Sequence, residues 1–182
     1  MVSRGARARV RISATGISSR GFTLLELLVV LVILAGASAL VLPRLSAMQD
    51  GDTRSSARNI ATLLRYLDER AVAGRTSYRL QIDLDEQKIS VQQLNAAGES
   101  KLPDDPFLQR NPLIGATRLA EIKTERSGAA AKGITSVSYS IGGLSEVLVL
   151  HLGVPGRQQY TVQALPVNGS VKVAEGWLEI IL

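Results

Sequence analysis

The sequence predicts an α+β protein in which one long N-terminal helix packs on an antiparallel β-sheet. Two observations lead to this fold class. Apolar residues fill the segment 22–42 and then recur at helical spacing up to Ala71. From Ser77 onward the pattern changes to alternation of apolar and polar residues, which is typical of strands with one covered face.

The first half of the predicted helix is almost entirely apolar. Residues 22–42 would extend about 31 Å as a helix, which matches the hydrocarbon core of a bilayer. Glu26 is the one charged residue in this run. A carboxylate inside a membrane span costs roughly 2.5–3.5 kcal/mol, so such a residue is expected to serve a function. The alternative is an ordinary membrane anchor with an incidental glutamate near the interface.

The second half of the predicted helix is amphipathic. Its apolar stripe consists of Ile60, Leu63, Leu64, Leu67 and Ala71. We expect a bend at Pro43, a weak point near Gly51 and an end near residue 73, since Gly74 is a natural helix stop.

Charged residues fall largely off this stripe, which predicts a solvated face; the alternative is a contact with acidic patches on neighbouring subunits. The arginines concerned are Arg54, Arg58, Arg65, Arg70 and Arg75, and the acids among them are Asp68 and Glu69.

The remaining chain reads as short strands separated by turns. A hairpin is predicted at residues 77–91, and Asn168-Gly169 is a strong signal for a second hairpin. The run 147–152 is apolar on both faces, which indicates a central strand. Residues 95–115 and 127–133 are predicted as a long loop and a flexible segment. The other candidate strands are 118–123, 134–141, 144–152, 158–164 and 170–174.

The positive charge is concentrated at the N-terminus. The net charge is +5, and residues 1–21 contain five arginines and no acid, which leaves 16 of the 21 basic residues to face 16 acidic ones. A global basic field that would attract nucleic acid is therefore absent beyond residue 21. The arginines before the apolar run predict a cytoplasmic N-terminus and an exported C-terminal part.

The segment Arg20-Gly21-Phe22-Thr23-Leu24-Leu25-Glu26, followed by an apolar helix, resembles the N-terminus of type IV pilins and type II secretion pseudopilins. The resemblance implies that a prepilin peptidase cuts between Gly21 and Phe22 and that the new N-terminus at Phe22 is methylated. It also implies that Glu26 acts in docking. The new ammonium would lie one helical turn from Glu26, which could neutralise its own terminus or pair with that of a neighbouring subunit.

The resemblance implies three parts: a cleaved basic leader at 1–21, a transmembrane and assembly helix at 22–43, and a periplasmic domain at 44–182. The segment 57–80 looks like the helix-to-strand region of H-type minor pseudopilins and their FimT relatives. The implied function is a minor pseudopilin near the tip of the periplasmic pseudopilus, anchored in the inner membrane. The alternative is a minor type IV pilin, FimT-like, in pilus assembly or DNA uptake.

Partners implied by the resemblance are the prepilin peptidase, other major and minor pseudopilins, inner-membrane lipid before assembly, and secreted proteins. Nucleic acid is not expected as a partner, because the segment 174–182 carries Glu175 and Glu179 and no basic residue.

Residues that suggest catalysis or metal binding are few. His151 is the only histidine and lies in an apolar strand, so we expect a structural role. Asp104-Asp105 falls far short of the six to eight oxygens that calcium prefers, and a surface turn is expected there. There is no cysteine. We therefore expect no enzyme activity, no cofactor and no metal.

Overall fold

One long helix leads into the folded domain. The computed structural model describes residues 22–153 and 156–179, and the side chains of residues 40–50 and 168 lie outside what it describes. The chain divides into two compact units, Met1–Val41 and Leu42–Leu182, and α1 (Leu24–Gly74) contains residues of both. The predicted helix is thus confirmed in extent. It continues through Gly51, where we expected a weak point, and the bend at Pro43 stays a prediction.

The second half of α1 supplies one side of the hydrophobic core. Ile60, Leu64 and Leu67 are fully buried, and the rest of the predicted stripe is buried with them. These side chains pack against the inward faces of the strands. The amphipathic pattern read from the sequence therefore identifies the helix face that meets the core.

The strands form two antiparallel sheets of five strands each, where we expected one sheet. The first has the order β3-β2-β1-β6-β7 and the second β10-β9-β8-β4-β5. The strands are β1 (Ser77–Asp83), β2 (Lys88–Leu94), β3 (Ser100–Lys101), β4 (Leu119–Thr124), β5 (Gly128–Ala130), β6 (Ile134–Ser140), β7 (Gly143–Leu144), β8 (Leu148–Leu152), β9 (Tyr160–Ala164) and β10 (Val171–Glu175).

The alternating pattern correctly marks which residues face inward. In β1, Tyr78, Leu80 and Ile82 are buried while their neighbours are partly exposed. All five residues of β8 are buried, and β8 lies between β4 and β9. The prediction of a central strand at 147–152 is confirmed.

Two of the expected segments are wrong. The single strand at 144–152 is in fact two strands in different sheets, because Leu144 pairs with Tyr139 in the first sheet and β8 belongs to the second. Between them the buried Glu146 carboxylate accepts the backbone N–H of Arg126 at 3.0 Å. The segment predicted to be flexible at 127–133 contains β5, which pairs with β4.

The second predicted hairpin is confirmed, with an unexpected turn. β9 and β10 are paired, and a short 3-10 helix, Val167–Gly169, connects them. Gly169 has φ of 56°, a left-handed conformation that glycine adopts without strain. The loop predicted at 95–115 is mostly irregular, with turns at 96–97 and 106–109, and includes the two-residue β3.

Candidate assembly helix and domain surface

The start of α1 is set by a side-chain cap that the sequence analysis missed. Thr23 precedes the helix, and its Oγ1 accepts the backbone N–H of Glu26 at 3.2 Å. The Thr23 carbonyl accepts the N–H of Leu27, also at 3.2 Å. The spacing Thr-x-x-Glu is the signature of a capping box and could have revealed the cap. The helix therefore begins almost directly after Phe22.

Glu26 lies in the first turn of α1. The positive end of the helix dipole favours a carboxylate at this position by about 0.3–1 kcal/mol. Between Phe22 and Ala39 no other residue is charged. A local role at the helix start and a role toward a second chain are both compatible with this placement.

Apolar side chains are exposed all around the first half of α1. Over Phe22–Leu34 the large apolar residues are between 41% and 83% exposed. A helix that is apolar on all sides is normally buried, either in a protein assembly or in a membrane. The described residues of the chain provide no such cover for Phe22–Leu34.

The described residues include no helix that is long and apolar enough to cross a membrane. The membrane span expected at 22–43 includes residues 40–43, whose side chains lie outside what the structure describes. The leader expected at 1–21, which includes Gly21, lies outside the described residues altogether. Phe22 and Glu26 are described, and both are exposed.

Charged residues in the second half of α1, which packs on the domain, form hydrogen bonds with the strands that the sequence did not predict. Its arginines are exposed, as expected for a solvated face. However, Nη2 of Arg65 donates a hydrogen bond to the carbonyl of Val171 in β10 at 2.6 Å. Asp68 is half-buried, and its Oδ1 accepts the N–H of Leu144 at 3.1 Å. Both residues therefore fix the helix to the strands.

The acidic pair in the 95–115 loop is occupied by protein contacts. Asp104 forms an ion pair with Lys101 at 3.2 Å. Asp105 accepts the hydroxyl of Tyr66 and the N–H of Phe107, and these bonds lower the pKa of its carboxyl. Within the described residues no group of three or more acids or histidines is arranged to hold a metal ion.

His151 lies on β8, where it contacts the C-terminal segment. Its ring stacks on the indole of Trp177, with 4.0 Å between ring centroids and an angle of 6°. Its Nδ1 is 3.1 Å from Oγ1 of Thr161. Burial lowers the pKa of His151, while Glu121 raises it and Lys123 lowers it.

The tautomer of His151 follows from the bonds of Thr161. The Thr161 hydroxyl donates its one proton to the Gly176 carbonyl at 2.8 Å and accepts the N–H of Leu178 at 3.1 Å. Nδ1 of His151 must therefore be the donor toward this oxygen. The histidine thus fastens the C-terminal segment to the sheet, which is a structural arrangement.

The chain matches one sequence family at its N-terminus. The family is described as the prokaryotic N-terminal methylation motif, and the match covers residues 17–41. This range includes Gly21, Phe22 and Glu26, the three residues singled out from the sequence.

The chain is also similar in sequence to one curated protein of a secretion system. It is 29% identical over 97 residues to the type II secretion system protein H of Vibrio cholerae serotype O1, across 53% of this chain and 50% of that protein. The chain thus spans about half the length of this curated relative.

The fold is shared with solved structures of the minor pseudopilin EpsH from Vibrio cholerae. One matches with a TM-score of 0.56 at 18% identity, over 72% of this chain and 99% of the other. A second matches with a TM-score of 0.52 at 19% identity, over 68% and 96%. At this identity the likeness concerns the fold. The chain thus matches the methylation motif, is similar to protein H over about half of its length and shares the fold of these minor pseudopilins.

Proposed function

We propose that this chain is a minor pseudopilin of the type II secretion system. It is a structural subunit, not an enzyme, and lies near the tip of the periplasmic pseudopilus that drives protein export across the outer membrane. The observation that carries this proposal is the exposed apolar helix that starts at Phe22 and contains a single carboxylate, Glu26. The methylation motif and the pilin-like domain support it.

In this proposal the chain has three parts with separate roles. The leader 1–21 is removed by the prepilin peptidase after Gly21, and Phe22 becomes the methylated N-terminus. The helix 22–43 holds the subunit in the inner membrane until assembly. Residues 44–182 form the periplasmic domain, which selects the major and minor pseudopilins and the secreted proteins that it contacts.

The apolar helix is suited to move from lipid into a bundle of similar helices. Lipid tails and neighbouring apolar helices offer similar surroundings, so the transfer itself has little hydrophobic driving force. When helices with uniformly apolar surfaces pack together, their axial register relative to one another is also left undefined. A single charge pair defines it, because an unpaired carboxylate in apolar surroundings costs several kcal/mol.

Glu26 supplies that pair with the N-terminal ammonium at Phe22 of a neighbouring subunit. Two opposite charges 4 Å apart attract by about 4 kcal/mol at an effective dielectric constant of 20. The Thr23 cap holds Glu26 in the first helical turn, close to the end of the chain. Docking in the correct register then satisfies both charges at once.

The described C-terminal segment argues for protein partners. Residues 174–179 include Glu175 and Glu179 and no basic side chain. Contacts with DNA phosphates require cations. We therefore propose that the domain binds other pseudopilins and not nucleic acid.

Replacing Glu26 tests the docking role. We expect Glu26→Gln to insert and to be processed but to assemble at least about tenfold less, because it loses a charge pair worth more than about 1.4 kcal/mol. Crosslinking of the full-length protein to its sister subunits and secretion of a cargo protein are the measurements.

The matched control is Glu69→Gln, which removes one exposed carboxylate from the domain half of α1. It should assemble within about twofold of wild type. Wild-type assembly and secretion by Glu26→Gln would contradict the docking role.

A further inference from the structure

Among the described residues, four strands are outermost in the two sheets, and β10 is the longest of them; β2 and β6 also lack a paired strand on their outer sides over residues 88–92 and 134–138. β3, β5 and β7 contain two, three and two residues. β10 contains five and has a paired strand on one side only, β9. A long free edge presents a row of backbone donors and acceptors, which proteins usually shorten, cover or flank with charges.

The bonds that flank the β9–β10 ladder fix its pattern. The N–H of Leu165 donates to the carbonyl of Ser170 at 3.0 Å, and the N–H of Gly176 donates to the carbonyl of Gln159 at 2.7 Å. Both pairs follow the register of the ladder between them. In an antiparallel ladder, hydrogen-bonded pairs alternate with non-bonded pairs.

The same alternation shows which backbone groups of β10 are free. Lys172 and Ala174 belong to the bonded pairs, so their N–H and C=O groups face β9. The groups of Val171, Val173 and Glu175 point away from β9, toward the side where the described residues provide no strand.

The open part of this edge is limited at both ends. At its start, the guanidinium of Arg65 already donates to the carbonyl of Val171. At its end, Gly176 has φ of 91° and its carbonyl accepts the Thr161 hydroxyl, so the chain turns away from the strand direction. Among the described residues, no strand pairs with the outward backbone groups of Val173 and Glu175.

The side chains along the edge of β10 indicate which residues an added strand would need. Val173 pairs with the core residue Val162 and yet is 36% exposed. Two cations, Arg65 and Lys172, lie toward the start of the edge. Glu175 lies at its end, where its carboxylate also accepts the amide of Gln158.

We propose that the open edge of β10 accepts an extended segment of a partner protein as an additional strand of the second sheet. Backbone hydrogen bonds to Val173 and Glu175 provide the attachment, as in other cases of strand addition. The added segment has an apolar side chain opposite Val173, a carboxylate near Arg65 and Lys172, and a cation near Glu175. The flanking charges discourage pairing with strands of other composition.

Peptide binding to the full-length protein in detergent micelles tests this proposal. The probe is a synthetic hexapeptide of alternating valine and threonine with an aspartate at one end and a lysine at the other. The control is the same peptide with one central residue replaced by proline. We expect the first peptide, and not the second, to slow amide hydrogen exchange at Val173 and Glu175 by about fivefold or more, the equivalent of one hydrogen bond.

Two substitutions at one position separate the backbone from the side chain. Val173→Pro removes a backbone N–H that forms no hydrogen bond with β9, so we expect the domain to fold. Thermal unfolding of the variant checks this expectation. It should weaken peptide binding about fivefold or more relative to Val173→Ala, which keeps the N–H. Absence of protection at Val173 and Glu175, or equal binding by the two variants, would overturn the proposal.

Discussion

The side chain of Asp68 contacts two separate segments of the domain. Its carboxylate lies close to Gly143 at the start of β7 and to Gly169 in the 3-10 helix, and it accepts the N–H of Leu144 at 3.1 Å. Both glycines have positive φ, 83° and 56°. A Cβ on Gly143 would lie 2.8 Å from Oδ1 of Asp68, and a Cβ on Gly169 would overlap Oδ2. These two positions therefore need glycine for space as well as for conformation.

We expect Gly169→Ala to reduce the free energy of unfolding by about 3 kcal/mol, because it combines left-handed strain with displacement of Asp68. Gly98→Ala is the control: φ is 81° and nothing lies within 4 Å, so it carries the strain alone, about 1 kcal/mol. Urea unfolding of the single variants and of each combined with Asp68→Ala is the measurement. If Asp68→Ala does not reduce the cost of Gly169→Ala, the proposed clash is wrong.

At the scale of elements, the C-terminal segment is fastened across the second sheet at a few points. The Thr161 hydroxyl forms hydrogen bonds with Gly176 and Leu178, the His151 ring stacks on Trp177, and the N–H of Gly176 donates to the carbonyl of Gln159. Glu121 and Lys123 of β4 and Glu179 of the segment line the cleft next to this stack. Burial disfavours the protonated ring of His151 and lowers its pKa; Glu121 opposes this effect, and repulsion from Lys123 adds to it.

We expect the segment to loosen as the pH falls. Burial holds the pKa of His151 below its ordinary value of about 6.5, so the neutral ring is favoured in the folded state. The stabilisation is thus complete above about pH 6.5 and is lost as the pH falls from there toward the lower pKa of the folded state.

His151 and Trp177 are the only histidine and the only tryptophan, so imidazole NMR and tryptophan fluorescence report this site directly. The titration midpoint should lie below 6.5 in the wild type and in Trp177→Phe, and should rise toward 6.5 in Trp177→Ala. A wild-type midpoint at or above 6.5 would contradict the account.

Some of the helices and strands could be predicted from the sequence and others could not. The apolar stripe of α1 and the alternation in β1 correctly identify core faces, because one face of each element is buried. The split of 144–152 into β7 and β8 was missed, since both parts are apolar and periodicity does not record a change of sheet. Asp68 and Arg65 were read as solvated because their strand partners are distant in sequence.

At the scale of the whole molecule, the apolar helix and the folded domain are proposed to have separate roles. In the proposed function, the helix attaches to lipid or to similar helices, and the carboxylate of Glu26 sets its register. The domain presents two sheets with different edges and faces, among them the open edge of β10. In the function proposed here, assembly depends on the N-terminus and partner choice on the domain.

The N-terminal residues proposed to act in processing and docking were identified from the sequence alone, and their roles stay predictions. Gly21, Phe22 and Glu26 were recognised by their order and position, and they lie within the matched methylation motif. The exposure of Phe22 and the Thr23 cap came only from the structure, although the Thr-x-x-Glu spacing was visible. Gly21 itself lies outside the described residues, so cleavage there remains to be tested on the protein.

The most direct measurement is the intact mass and N-terminal sequence of the full-length gene product isolated from the membranes of its own cells. The account predicts a chain that begins with N-methylated Phe22, and a Gly21→Ala variant that keeps its leader and is heavier by the mass of residues 1–21. A native protein that still begins at Met1, or normal processing of the Gly21→Ala variant, would contradict it.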